Sequence, residues 1–251
     1  MDRTAPPGTQ TLVKGLNIIE AVSGGASTLS EIVVATGIGK STAHRLAHEL
    51  LRRGWLAADS VGGFVLGPAL ISYGFAALES VSIAEAAGPI IEDLRARTED
   101  TVHLGTRVGD EVLYAAKLDG LRGAAMRSRV GGRMPLARTG VGMALLLDDA
   151  EDEWRRLRLE QAGIDASRGQ SIDAFVLRMR EYARVGAAYD LEDNEVGIRC
   201  VAAPVRDARG VIAGALSVTA TTPYMGLRRM HELVPVVVAA ANDVSHRLGA
   251  R

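Results

Sequence analysis

The chain has 251 residues, 47% of them hydrophobic and 24% charged, a composition that fits a soluble globular protein and excludes a mostly disordered one. Its 29 Lys and Arg against 30 Asp and Glu give a formal net charge of −1, so any nucleic-acid contact must come from a local patch, and the 4% aromatic content argues against a stacking platform for single strands. The lone cysteine, Cys200, excludes an intrachain disulfide and a cysteine zinc cluster; with no signal-peptide core in MDRTAPPGTQ and no long apolar run, the expectation is a cytoplasmic protein with no membrane partner.

Residues 1–10, with Pro6, Pro7 and Gly8, read as a mobile arm. Leu12, Leu16, Ile19 and Val22 then fall at helical spacing until Gly24-Gly25. Thr28-Leu29-Ser30-Glu31 is a capping-box pattern opening a helix that ends at Gly37. After Gly37-Ile38-Gly39 a further helix starts at about Lys40, with Ala43, Leu46, Ala47 and Leu50 as its apolar stripe, and Gly54 ends it. Two short helices around a glycine turn predict a helix-turn-helix. Residues 55–57 and 64–66, separated by the turn-forming Asp59–Gly63, predict a wing hairpin. Pro68 opens a helix over 68–80; a break near Val81-Ser82 precedes another helix through Arg97.

Beyond this the pattern mixes strands and helices. Thr101–Arg107 and Glu111–Leu118 predict a hairpin about Gly109-Asp110, and Met126–Val130 a further strand. A helix is expected over Gly142–Leu147, an amphipathic helix over Ser171–Val185, and a last one over Leu227–Leu248, where Pro235 is a kink position. Val196–Pro204, Val205–Asp207 and Ala213–Ala220 are the remaining strand candidates. The resulting division is an arm (1–10), a DNA-binding domain (11–67), a helical connector (68–82) and a second domain (83–251).

Between Gly37 and Gly54 the bases Lys40, Arg45, Arg52 and Arg53 face one acid, Glu49. Lys40, Ser41, Thr42, His44, Arg45 and His48 lie opposite the apolar stripe, the arrangement of a recognition helix entering a major groove. Arg45 is the candidate for guanine, since its planar fork bonds two acceptors at once. Ser41 and Thr42 suit base edges or phosphate, and Lys40, Arg52 and Arg53 suit phosphate.

The segment TLSEIVVATGIGKSTAHRLAHELLRRGWL with GGFVLGPAL resembles the N-terminal half of the IclR family of bacterial transcription regulators. TVHLGTRVGDEVLYAAKLDG, RSRVGGRMPL and NEVGIRCVAAPVRDARGVIAGALSVTA resemble that family's effector domain, so the likeness runs over about residues 11–248. The resemblance implies an α+β protein in which a winged helix-turn-helix is joined to a GAF-like α/β effector domain. It implies a homodimer or homotetramer that binds double-stranded operator DNA and is modulated by a small organic acid or related metabolite; no enzyme activity, cofactor or metal is expected. It places the effector's carboxylate near Gly140 and Val141 and polar contacts at Asp190, Cys200, Ser217 and Thr219. Departures from the family pattern are Gly39 for a frequent proline, a hairpin tip without Arg or Lys, and Ala137, Arg138 and Met143 in the pocket loop.

The residues alone allow simpler readings of the same positions. Arg138 could pair with an anionic effector or face solvent; Thr139 could be a helix cap, Cys200 a core residue, and Asp190 an exposed acid ahead of Glu192-Asp193. Ser217 and Thr219 are two apart and so share one face of a strand. No HExxH, GxxxxGK[ST] or GxSxG motif occurs, and nothing in the spacing brings Cys200 to His103. The rival from another class is a metabolite-binding or enzymatic α/β domain whose winged helix docks proteins; it predicts no selective, salt-sensitive binding to duplex DNA.

Overall fold

The computed structural model describes residue 6 and residues 8–80, 82–122, 126–161 and 171–250. Most of the arm expected over 1–10, and Val81 in the expected break, lie outside the described residues. The chain divides into two compact units, Met1–Ser80 and Val81–Arg251.

The first unit begins with α1 (Gln10–Ser23), α2 (Leu29–Thr36) and α3 (Lys40–Arg52). The start of α2 is locally determined. Thr28 Oγ1 accepts from the Glu31 N–H at 3.2 Å, and the Glu31 carboxylate accepts from the Thr28 and Ser27 N–H groups at 2.9 and 2.8 Å. Its end is equally local: Gly37 takes φ +67°, a left-handed conformation that an L side chain strains to adopt. Ile18, Val22, Ile32, Ile38, Ala43, Ala47 and Leu56 form the buried core of this unit. Replacing Thr28 by alanine is expected to lower its stability by about 1 kcal/mol, read as a lower urea midpoint at unchanged slope.

Strands β1 (Leu56–Ala58) and β2 (Phe64–Leu66) pair antiparallel with Leu56 opposite Leu66. Asp59 closes their turn by accepting from the Val61 and Gly63 N–H groups at 2.9 and 2.6 Å. Helix α4 (Pro68–Ser80) follows, opened by its proline.

The second unit is a six-stranded antiparallel sheet. After α5 (Ile83–Thr98) come β3 (Thr101–Val108), β4 (Glu111–Leu118), β5 (Arg133–Pro135), a single 3₁₀ turn (Leu136–Arg138) and α6 (Gly140–Leu145). Then follow α7 (Glu151–Glu160), α8 (Ile172–Val185), β6 (Ala188–Leu191), β7 (Ile198–Arg206), β8 (Ile212–Thr221) and α9 (Leu227–Arg247). The strand order is β5-β4-β3-β8-β7-β6. Alternation along the strands feeds two cores. Val102, Leu104, Val201, Ala203, Leu216 and Val218 pack against α5 and α9. Val112, Tyr114, Ala202 and Ala215 face the opposite side with α6, α7 and α8.

Two expectations need correction, and two elements carry no sequence expectation. Met126–Val130 is not a strand: the Lys117 ammonium takes the carbonyls of Met126 and Ser128 at 3.1 and 2.7 Å. The strand there is β5, three residues further on. Val196–Pro204 and Val205–Asp207 are one strand, β7, because β6 pairs with it only as far as Ala202 and Pro204 lies where that edge is free. Helix α7 and strand β6 carried too weak a pattern to be expected: α7 is strongly polar, and β6 is a four-residue edge.

Candidate DNA-reading helix and ligand cavity

Helix α3 buries Ala43 and Ala47 completely, so its opposite face is presented to solvent. Lys40, Ser41, His44, Arg45, His48 and Arg52 are exposed and Thr42 is half-buried. Lys40 and Arg45 have no hydrogen-bond or ion-pair partner among the described residues. The rings of His44 and His48 lie 4.3 Å apart on successive turns. Arg52 and Arg53 differ from Arg45: both bond Glu49, Arg52 at 2.6 and 2.9 Å and Arg53 at 2.6 Å. These guanidiniums hold the Glu49 carboxyl down to about 2. The free positive charge of the face is therefore concentrated at Lys40 and Arg45. The i, i+3 and i, i+4 spacing of 49, 52 and 53 carried this signal in the sequence.

In the second unit a cavity of about 350 Å³ opens against the α6–α8 side of the sheet. Seven of the eight effector candidates line it: Thr139, Gly140, Val141, Asp190, Cys200, Ser217 and Thr219. Arg138 does not. It is half-buried, and its Nε donates to the Asp193 carbonyl at 3.4 Å. Sequence reasoning missed His103, Tyr114 and Ser128, which also line the cavity.

Strand pairing assembles the wall. Cys200 sits opposite both Asp190 on β6 and Thr219 on β8, while His103 on β3 pairs with Ser217. Thr139 does cap α6, accepting from the Gly142 N–H at 3.0 Å, yet it also lines the cavity. Gly140 is required where it stands, because a Cβ there would fall on Cys200 Sγ. The first N–H groups of a helix have no partner within it. With Gly142 taken by the cap and the Gly140 N–H directed at Cys200 Sγ, that of Val141 remains at this end of the cavity.

A polar chain crosses the wall: Ser217 Oγ to Thr219 Oγ1 at 3.4 Å, Thr219 Oγ1 to His103 Nδ1 at 3.4 Å, and His103 Nε2 to Ser128 Oγ at 2.7 Å. Burial, with the nearby Lys117 charge, pushes His103 down to about 3, so its ring is neutral. Burial raises the Cys200 thiol and the Tyr114 phenol, with the Asp190 charge adding to each. Asp190 is 5% exposed, which overturns its reading as a solvent-facing acid. Burial and then the neighbouring Asp193 carboxylate push it up to about 7, although it accepts from the Asp193 N–H at 2.8 Å. His103 and Cys200 do share the cavity, but Thr219 stands between them and the thiol is protonated, so they do not form a nucleophile and base pair.

Comparison with known proteins decides the family. A model described as the C-terminal domain of bacterial IclR transcriptional regulators matches residues 75–246, and the IclR helix-turn-helix model matches residues 11–60. The chain belongs to the IclR family. Among curated IclR-like relatives, the regulator KdgR of Escherichia coli K12 is 29% identical over 97% of this chain and 94% of its own length. The repressor YiaJ of the same organism is 28% identical over 99% and 91%. Among solved structures, the Agobacterium tumefaciens repressor BlcR superposes with a TM-score of 0.83 at 22% identity, covering 98% of this chain and 100% of that one. Pseudomonas aeruginosa HmgR gives 0.82 at 22% over 96% and 98%. As an IclR-family member the protein is a DNA-binding, ligand-responsive transcription regulator with an N-terminal helix-turn-helix and a C-terminal α/β domain. Among the described residues no group of His, Cys, Asp and Glu could hold a metal ion, and no helix is long and apolar enough to cross a membrane.

Proposed function

We propose that this regulator binds a roughly palindromic operator duplex as a homodimer or homotetramer and releases or engages it in response to a small organic acid, without catalysing a reaction. Residues 11–67 read the DNA, 68–82 connect, and 83–251 form a GAF-like effector domain. Arg45 contacts guanine; Ser41, Thr42, His44 and His48 reach further base edges or phosphate; Lys40 holds phosphate, and Arg52 does so once its bond to Glu49 yields. The effector lies in the 350 Å³ cavity with its carboxylate near Gly140 and Val141, and with Asp190, Cys200, Ser217 and Thr219 around it. Thr139 shapes that end as the cap, and Arg138 acts from behind the wall through Asp193.

The observation that carries this reading is the face of α3: a helix seated by two buried alanines that leaves Lys40 and Arg45 unpaired beside hydrogen-bonding side chains. Selection of bound duplexes from a random pool tests it. The expected winner is palindromic, with half-sites about one helical turn apart or a multiple of that. Its affinity should fall with salt at a slope of about −0.9 per phosphate neutralised. Failure to enrich any duplex, with organic acids absent and again with them present, would favour the protein-docking rival.

A further inference from the structure

Part of the cavity lining comes from no strand or helix. Residues 126–129 and Gly132, in the loop between β4 and β5, line it together with strand residues that include Cys200 and Thr219, which are 5% and 7% exposed. No residue of 126–132 is buried, Val130 is 59% exposed, and neither core of the second unit includes any of them. Lifting this segment therefore gives up little apolar burial, the condition for local opening.

What holds the segment is polar and converges on Ser128. The Ser128 hydroxyl lies 2.7 Å from His103 Nε2, and the Ser128 carbonyl accepts from Lys117 Nζ at 2.7 Å. Lys117 also donates to the Met126 carbonyl at 3.1 Å and lies 2.8 Å from an Asp119 carboxylate oxygen, so its three N–H donors have three acceptors. Because His103 Nδ1 is in turn 3.4 Å from Thr219 Oγ1, the hold on Ser128 ends on the strand wall itself. Arg127, with its side chain 89% exposed, lies 3.6 Å from Glu195, another lining residue; an exposed pair of this kind adds little and is screened by salt. The end of the segment is fastened differently. The Tyr114 N–H donates to the Gly132 carbonyl at 3.0 Å and the Gly131 N–H to the Tyr114 carbonyl at 2.9 Å, so backbone bonds tie it to β4.

We propose that residues 126–130 are a flap over the cavity, anchored at Gly131 and Gly132 and latched at Ser128 by His103 and Lys117, and that release of the latch admits a solute to the strand wall. Opening breaks the side-chain bonds at Ser128 and Met126 and leaves both cores of the second unit intact. Its bearing on regulation rests on the cavity being the effector site: entry and residence of the effector then follow the flap, and the entry rate levels off at the opening rate as effector concentration rises.

Cys200, the only cysteine in the chain, reports the opening directly, since its buried thiol lines the cavity. The experiment is modification of the full chain by methyl methanethiosulfonate with no effector present, followed by intact mass, from zero to about 1 M urea. The parent chain should be modified far more slowly than free cysteine, at a rate that hardly changes with urea. That is the mark of local opening; access through global unfolding would rise with the full unfolding slope. Ser128→Ala should speed modification about tenfold, and Lys117→Met about tenfold to a hundredfold because its bonds are charge-assisted, both with the same flat urea dependence. Modification of the parent at the rate of free cysteine, a parent rate that tracks the unfolding slope, or unchanged rates in both variants overturns the flap. The urea dependence of the parent decides even if a variant does not fold. Because no effector is used, such a failure leaves the cavity as the effector site, and an open and shut flap stands even if the cavity takes a different ligand.

Discussion

Replacing Arg45 by alanine is expected to weaken binding to the selected operator by about 1–3 kcal/mol, or roughly tenfold to a hundredfold, and to relax preference at one base position in each half-site. The expectation follows from the state of the side chain. Arg45 is exposed on the outward face of α3 and has no acid to hold it among the described residues, so its guanidinium is free to bond two acceptors on a guanine edge. Lys40→Ala is the contrast: a point charge on phosphate, whose loss should weaken all duplexes alike and make the salt slope shallower by about one. Arg52→Ala should do less than either, because Arg52 already bonds Glu49. Affinities for the selected site and for single-base variants, measured at several salt concentrations, separate these cases. An unchanged affinity and preference in Arg45→Ala would remove it from the reading surface.

The second large effect is expected at Gly140. A methyl group there would fall on Cys200 Sγ and come within 3.3 Å of the Asp190 amide nitrogen. Cys200 is held on β7 between β6 and β8, so the wall cannot easily retreat. Gly140→Ala should therefore destabilise the second unit by about 1–3 kcal/mol, the range for overpacking, and abolish binding of an acid in the cavity. Cys200→Ala removes the atom that is struck, so the double variant should recover much of the lost stability. Denaturant unfolding of the two single variants and the double gives the coupling directly. Additive losses would show that the two residues do not meet. Operator binding by α3 should persist in every variant whose first unit remains folded.

Much of the first unit was legible in the sequence because its determinants are local. The capping pair is three residues apart, Gly37 stops a helix by its own backbone freedom, and the stripe on α3 repeats within four turns. The helix-turn-helix and the hairpin behind it could be placed from such signals, and so could the outward position of Arg45. Even the partial neutralisation of Arg52 and Arg53 by Glu49 was present as spacing on one helix.

The cavity was only half legible. Ser217 and Thr219 share a face through strand alternation, and the resemblance to the IclR family pointed to Gly140, Val141, Asp190 and Cys200. Their burial, however, is a property of pairing across the sheet. His103 meets Thr219 because β3 lies beside β8, at a separation of more than a hundred residues, and Tyr114 reaches the same wall from β4. Met126–Val130 has the composition of a strand but is held across the cavity by Lys117 and His103 instead. Charge state followed the same division. The sequence by itself determined which residues carry acids, thiols and hydroxyls, and which helix would turn its bases outward, since these depend on chemistry and on contacts a few residues apart. Only the tertiary structure decided that Asp190 is a buried acid poised near neutrality and that Arg138 is turned onto Asp193, because desolvation and long-range packing set the energy of a charge.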